Sequence, residues 1–353
     1  MEPSEVKRTS MSPARDSGAP DARLFLLVSG FMPWFDMPLE RLREYRTSTQ
    51  EPEGLDQWWA ERLDLARAQA QPATFTPHEP DVYRPFQVFD VVYSGAGGDP
   101  IRAWYIKPAG QASTPVVVKF IGYGGGRGAP AEHFLLPSLG YAVFVMDSRG
   151  QGGKWTTGGT PDGRGGTGAE NSLVMTRGIT SPESYYYTRL FTDAARAVDV
   201  AAELAGAGGT VAVSGGSQGG GLALAAAALR RDAVSVCHAD LPFLCDIQRA
   251  VTFAPRPPYT EISEFLAENV ALIDAALNTL RYIDCALLAR RITAPTLFSV
   301  GLMDEVCPPS TVFAAYNEIN ADKDIIVYPY SGHSVPHAHA EPQLKHLRRH
   351  FPV

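Results

Sequence analysis

Apolar and polar positions along this chain follow two patterns. From residue 116 onward, short continuous apolar runs recur at 116–121, 142–146, 233–237, 296–300 and 325–328, with another opening at Val211. Runs this short, without alternation, suit strands buried on both faces of a parallel sheet. Earlier, residues 87–94 alternate, 95–100 form a Gly-rich turn and 101–107 resume an extended pattern, which predicts an antiparallel hairpin. A helical period marks residues 188–204 and the Ala/Leu-rich stretch after Ser217. Another helix is expected before residue 70, behind a proline-marked entry at Pro33, with Trp58, Trp59, Leu63 and Leu65 as its anchors. Residues 242–291 read as mainly helical and interrupt the alternation, so they are the natural place for a cap insertion. Strands alternating with helices predict an α/β fold: a mostly parallel central sheet, antiparallel N-terminal strands and helices on both faces.

The 353 residues can bury one large core, and 32–353 read as a single domain. Residues 1–31 are expected to be disordered or extended; the first 22 are polar and rich in Ser, Pro, Ala and charge, and Met11 and Met32 are alternative starts. The apolar stretch 24–28 is short and has no clean small-residue cleavage site, which disfavours a secretory signal. A net charge of −7 argues against nucleic-acid or anionic-membrane partners. No apolar run approaches the roughly 20 residues a membrane span needs. Cys237, Cys245, Cys285 and Cys307 match no zinc spacing and read as buried thiols of a cytoplasmic protein.

One turn changes the picture. The run from Val211 stops at Gly215-Gly216-Ser217-Gln218-Gly219, and a helix pattern follows at once. A G-x-S-x-G match is weak by itself in a chain with 33 glycines. Between a strand and a helix it resembles the nucleophile elbow of α/β-hydrolases, where Gly215 and Gly219 leave room and the serine projects over a helix N-terminus. A serine needs a base, and the base needs an orienting acid. In this fold both should follow the serine, the acid first, on loops after later strands. Asp304 stands four residues past the run ending at 300; Glu305 is its rival on register. His333 is nearest the end of the last run and follows Gly332; His337 and His339 are its rivals. These three histidines lack the carboxylate or cysteine company of a metal site, so no metal or other cofactor is expected. His133 and His238 read as core or loop histidines. The oxyanion donors are expected to be the N–H groups of Gln218 and of Tyr123, in the glycine loop after residue 121; that loop lacks the ending of a phosphate cradle.

With these residues in place, the chain from about Met32 onward resembles carbohydrate esterase family 7, the acetyl xylan esterases and cephalosporin-C deacetylases. The resemblance rests on Met37 to Glu40, Trp58-Trp59, Gly122-Tyr123, Gly125 to Gly128, Arg149-Gly150-Gln151, Met175 to Ile179, Gly215 to Gly219, Ala239 to Leu244, and Gly301 to Asp304 followed by Cys307 to Thr311. It implies a metal-independent serine esterase that deacetylates xylo-oligosaccharides and cephalosporin C through an acetyl-serine, with Ser217, Asp304 and His333 as its triad. It also implies a cytoplasmic homo-oligomer, a hexamer, whose partner is a small acetylated substrate. Arg149 and Gln151 read as supports that brace loops near the site. Where the family has His-Glu, this chain has His333-Ser334, which leaves open how the histidine loop is braced. Two other readings stand beside this one: a serine hydrolase for a different biosynthetic ester, and a catalytically inactive binding protein on the same fold.

Overall fold

The computed structural model describes residues 34–111, 113–163, 173–206 and 209–353. The segment 1–31, expected to be disordered or extended, lies outside them. The described strands form one sheet in the order β1-β2-β3-β5-β4-β6-β7-β8-β9. The first three are Thr74–Pro77 (β1), Phe86–Ser94 (β2) and Pro100–Pro108 (β3), all antiparallel, and β3 joins the rest antiparallel through β5. Val116–Phe120 (β4), Ala142–Met146 (β5), Val211–Gly216 (β6), Val234–Asp240 (β7), Thr296–Gly301 (β8) and Lys323–Tyr328 (β9) are parallel to one another. This is the architecture of the α/β-hydrolase fold. The apolar runs mark these strands because helices cover both faces: every residue of β5 is buried.

One layer of helices packs on the Val116, Val118 and Phe120 face of β4. Leu55–Ala68 (α1) packs on Tyr186–Leu204 (α2), Trp59 against Phe191, and α2 together with Gln218–Leu229 (α3) makes that layer. On α2, Leu190, Ala194, Ala197, Val198 and Ala201 fall on one stripe and are buried. The opposite face, through Val117, Ala212 and Val236, meets Leu347 on the C-terminal helix Ala340–His350. The stretch 242–291 contains the helices Ile247–Phe253, Tyr259–Glu268 and Ile273–Arg281.

Two details depart from the pattern. Leu65 is no anchor: α1 buries Leu55, Trp59, Leu63 and Ala66, and Leu65 lies off that stripe, 57% exposed. β1 carried no signal, because every residue of Thr-Phe-Thr-Pro is exposed at the sheet edge and nothing alternates.

Candidate active site

The site grows from the end of β6. Ser217 sits between β6 and α3 with φ 57° and ψ −122°, a strained conformation for a residue with a Cβ. The strain is held from both sides. The Ser217 N–H donates to the Asp240 carbonyl at the end of β7 (2.8 Å), and its carbonyl accepts from the N–H of Gly221 (3.1 Å) and of Phe243 (2.9 Å). A Cβ at Gly215 would lie 2.3 Å from the Gly219 carbonyl oxygen, and one at Gly219 would lie 2.4 Å from that of Phe120. Both glycines are required by space; neither is among the positive-φ glycines.

Asp304 and His333 come to this serine from the loops after β8 and β9. His333 Nε2 lies 2.8 Å from Ser217 Oγ, and His333 Nδ1 lies 2.8 Å from Asp304 Oδ2. The other Asp304 oxygen accepts from the N–H groups of Val306 (2.8 Å) and Cys307 (2.9 Å), and the side chain is buried. An acceptor so held keeps its aim. The rivals fall elsewhere. Glu305 pairs with the exposed Arg256 at 2.5 Å. His337 is exposed. His339 is buried against Asp240 Oδ1 (2.6 Å) and Tyr328 (2.8 Å). His133 and His238 are core histidines, hydrogen-bonded to the Arg127 carbonyl and to His346.

Among the described residues, no hydrogen bond occupies the backbone N–H of Tyr123 or of Gln218. Their loops are tied together by Gln151. Its Oε1 accepts from the Gly124 N–H (2.7 Å), and its Nε2 donates to Gln218 Oε1 (2.9 Å) and to Tyr186 (2.7 Å). Arg149 lies deeper, wholly buried, with Nε and Nη2 forked onto the two oxygens of Asp193 (2.6 and 2.7 Å). It touches no reacting atom. Glu261 had no sequence signal, because it lies 138 residues from the loop it serves. Its two carboxylate oxygens accept from the Tyr123 hydroxyl at 2.8 and 2.9 Å. Burial raises the pKa of both groups. Trp155 carries no sequence signal either; its Nε1–H donates to the Tyr123 carbonyl (3.1 Å), and its ring covers Gly122 and Gly125.

These groups open into a cavity of about 640 Å³ whose wall includes Tyr123, Trp155, Pro257, Pro258 and Val306 as well as Ser217. Asp304, Cys307 and His333 bring potential ligand atoms within 4.8 Å of one another. The set suits a metal poorly: burial holds the Cys307 thiol well above its ordinary range, and metal binding needs the thiolate. No described helix is long and apolar enough to cross a membrane.

The comparisons agree with this geometry. The acetyl xylan esterase family model matches residues 32–350. An acetyl xylan esterase from Paenibacillus sp. R4 is 35% identical, with a TM-score of 0.79 over 89% of this chain and 100% of that one. Acetyl xylan esterase 1 from Thermoanaerobacterium is 33% identical, with a TM-score of 0.81 over 90% and 100%. An acetyl esterase of Xylanibacter ruminicola is 29% identical over 83% of this chain, which spans 65% of that protein's length. A Pyrococcus horikoshii acylaminoacyl peptidase, 16% identical with a TM-score of 0.52 over 76% of this chain and 41% of that one, shares the fold alone. Together with a serine, histidine and aspartate in hydrogen-bonded line, the match over 32–350 means that this chain belongs to the acetyl xylan esterase family.

Proposed function

We propose that the protein is a serine carboxylic ester hydrolase that removes acetyl groups from acetylated carbohydrate, xylo-oligosaccharides first, and also deacetylates cephalosporin C. One observation supports this above all: His333 lies within hydrogen-bond distance of both Ser217 and Asp304, with the serine on a strained turn at a helix N-terminus. In this reading, Ser217 Oγ attacks the acetyl carbonyl carbon as its proton passes to His333 Nε2. Asp304 fixes the tautomer with the proton on Nδ1 and stabilises the imidazolium. The N–H groups of Tyr123 and Gln218 receive the oxyanion. His333 then protonates the departing sugar hydroxyl, and water attacks the acetyl-serine by the same route. Gln151 and Glu261 position the oxyanion loop, and the segment 242–291 acts as a cap by supplying Pro257 and Pro258 to the rim. A cytoplasmic homohexamer follows from the family resemblance; light scattering tests its size.

The decisive experiment is hydrolysis of p-nitrophenyl esters from acetate to octanoate, with a chelator present, by wild type and Ser217→Ala. The expected result is chelator-resistant cleavage that falls with chain length and disappears in the variant. Turnover that survives in Ser217→Ala overturns the assignment. So does wild type that cleaves no ester.

A further inference from the structure

A second cavity of about 210 Å³ lies between the sheet and the C-terminal helix. Its floor is one rung of the sheet. Lys119 on β4 is in register with Ser214 on β6, and Ser214 with His238 on β7. The neighbouring rung, Val117, Ala212 and Val236, is apolar and packs on Leu347 and Phe351. In the other direction the strands run to Gly216 and Asp240, beside Ser217. Lys119, Glu132 and His133 line both this cavity and the catalytic pocket, so the lysine stands where the two adjoin.

A Lys–Ser–His rung on a covered sheet face is costly unless each group finds a partner. His238 does: its Nε2 lies 3.1 Å from His346 Nδ1, and burial with that neighbour lowers its pKa to about 3, so it is neutral. His133 is neutral as well, lowered to about 4 by burial and by Lys119. Its Nε2–H donates to the Arg127 carbonyl (2.8 Å), which leaves Nδ1 to accept from Lys119 Nζ at 3.2 Å. That is the one hydrogen bond Lys119 Nζ makes among the described residues, and no ion pair completes it; burial lowers the lysine's pKa and the Glu132 charge opposes that. The Glu132 carboxylate is engaged instead by the Ala129 N–H (2.8 Å). Ser214 Oγ has no hydrogen-bond partner among the described residues either. An ammonium with two spare N–H groups and a spare hydroxyl therefore face a small space that opens toward the catalytic serine. A neutral ester offers that ammonium an acceptor but no counter-charge. A free carboxylate offers two acceptor oxygens and a counter-charge at hydrogen-bond distance, whereas Glu132 acts on Lys119 only from beyond ion-pair distance.

We propose that this cavity is a binding site for a small carboxylate, with Lys119 as counter-ion and Ser214 as second donor, and that it takes the acetate released at Ser217. Only the identity of the carboxylate as product rests on the esterase reading. Acetate held there is displaced from the acyl site, so it restrains turnover without competing for substrate.

The test separates the two claims. Sodium acetate is titrated into Ser217→Ala at constant ionic strength and followed by saturation-transfer NMR of the methyl group, with acetamide as neutral control. Acetate should bind and acetamide should not. Lys119→Gln in the same background should weaken acetate at least about tenfold, the size expected for a charge-assisted bond. Ser214→Val, which fills the cavity and keeps the ammonium, should weaken it similarly and remains readable if Lys119→Gln fails to fold. Acetate affinity unchanged in both variants overturns the site. In wild type, acetate should inhibit p-nitrophenyl acetate hydrolysis with a noncompetitive component that Lys119→Gln removes; purely competitive inhibition overturns it. A Lys119-dependent preference for 4-acetoxybenzoate over phenyl acetate would instead assign the charge to a carboxylate on the substrate and overturn the product claim. If the esterase reading fails, no ester is turned over, yet the NMR titration still reports on the site.

Discussion

Gly219→Ala puts the elbow's geometry to a quantitative test. The new Cβ would lie 2.4 Å from the Phe120 carbonyl oxygen, 2.8 Å from its carbon and 3.2 Å from the Ile121 nitrogen. All three are backbone atoms of β4 and the residue after it, so no side chain can rotate away. Reaching the 3.4 Å of ordinary contact requires α3 and the end of β4 to part by about 1 Å. Phe120 and Ile121 lead within two residues to Tyr123, so the gap opens between the two proposed oxyanion donors. A misplacement of that size costs on the order of 100-fold in rate. The same overpacking should cost about 1–3 kcal/mol of stability. The assay is p-nitrophenyl acetate turnover with denaturant unfolding beside it; kcat should fall far more than KM rises. Gly216→Ala is the control, because its Cβ would meet nothing nearer than the Asp240 Cβ at 3.8 Å. It should keep kcat within about threefold and stability within about 0.5 kcal/mol. If Gly219→Ala keeps kcat within about threefold of wild type, or Gly216→Ala falls equally far, the steric account of the elbow is wrong.

Other outcomes follow from the same contacts. Arg149→Met strips the buried Asp193 carboxylate of its fork and should cost about 3–5 kcal/mol in denaturant unfolding, whereas Arg149→Met with Asp193→Leu should recover part of it, the Ala96 N–H still losing its acceptor; equal losses in both would remove the ion-pair argument. Asp304→Asn should keep the fold but lower kcat by about 10⁴-fold through the wrong His333 tautomer, and a loss under tenfold would deny Asp304 the orienting role. His133 and His238 titrate at about 4 and about 3 in the folded chain, below the ordinary 6.5. The unfolded chain therefore binds protons first as pH drops, so their contribution is whole above about 6.5 and is lost progressively toward 3. Unfolding midpoints at pH 7 and pH 4.5 should separate less in His133→Gln/His238→Gln than in wild type.

The sequence by itself determined the local arrangement of the candidate site. A strand that stops at Gly215, a serine two residues on and a helix at once behind it admit few backbone paths, so Ser217 was legible from neighbours alone. Asp304 and His333 were legible for a related reason: each stands on the loop just past a short apolar strand, and parallel strands deliver such loops to one edge. Tertiary structure decided what depends on distant partners. Three histidines shared the last loop, and only packing turned His333 to the serine while pulling His339 back onto Asp240. That bond also bears on the brace left open by Ser334. His339 and Gln343 both donate to the Asp240 carboxylate and clip the segment after His333 to the strand behind the elbow. Glu261, Trp155 and the Lys119–Ser214–His238 rung were illegible because each acts across strands or from another segment, and a pattern of residue types carries no register. Leu65 shows the limit in miniature. Its hydrophobicity suggested burial, but the helix had one stripe to bury, and packing on α2 chose the side holding Trp59, which stacks on Phe191.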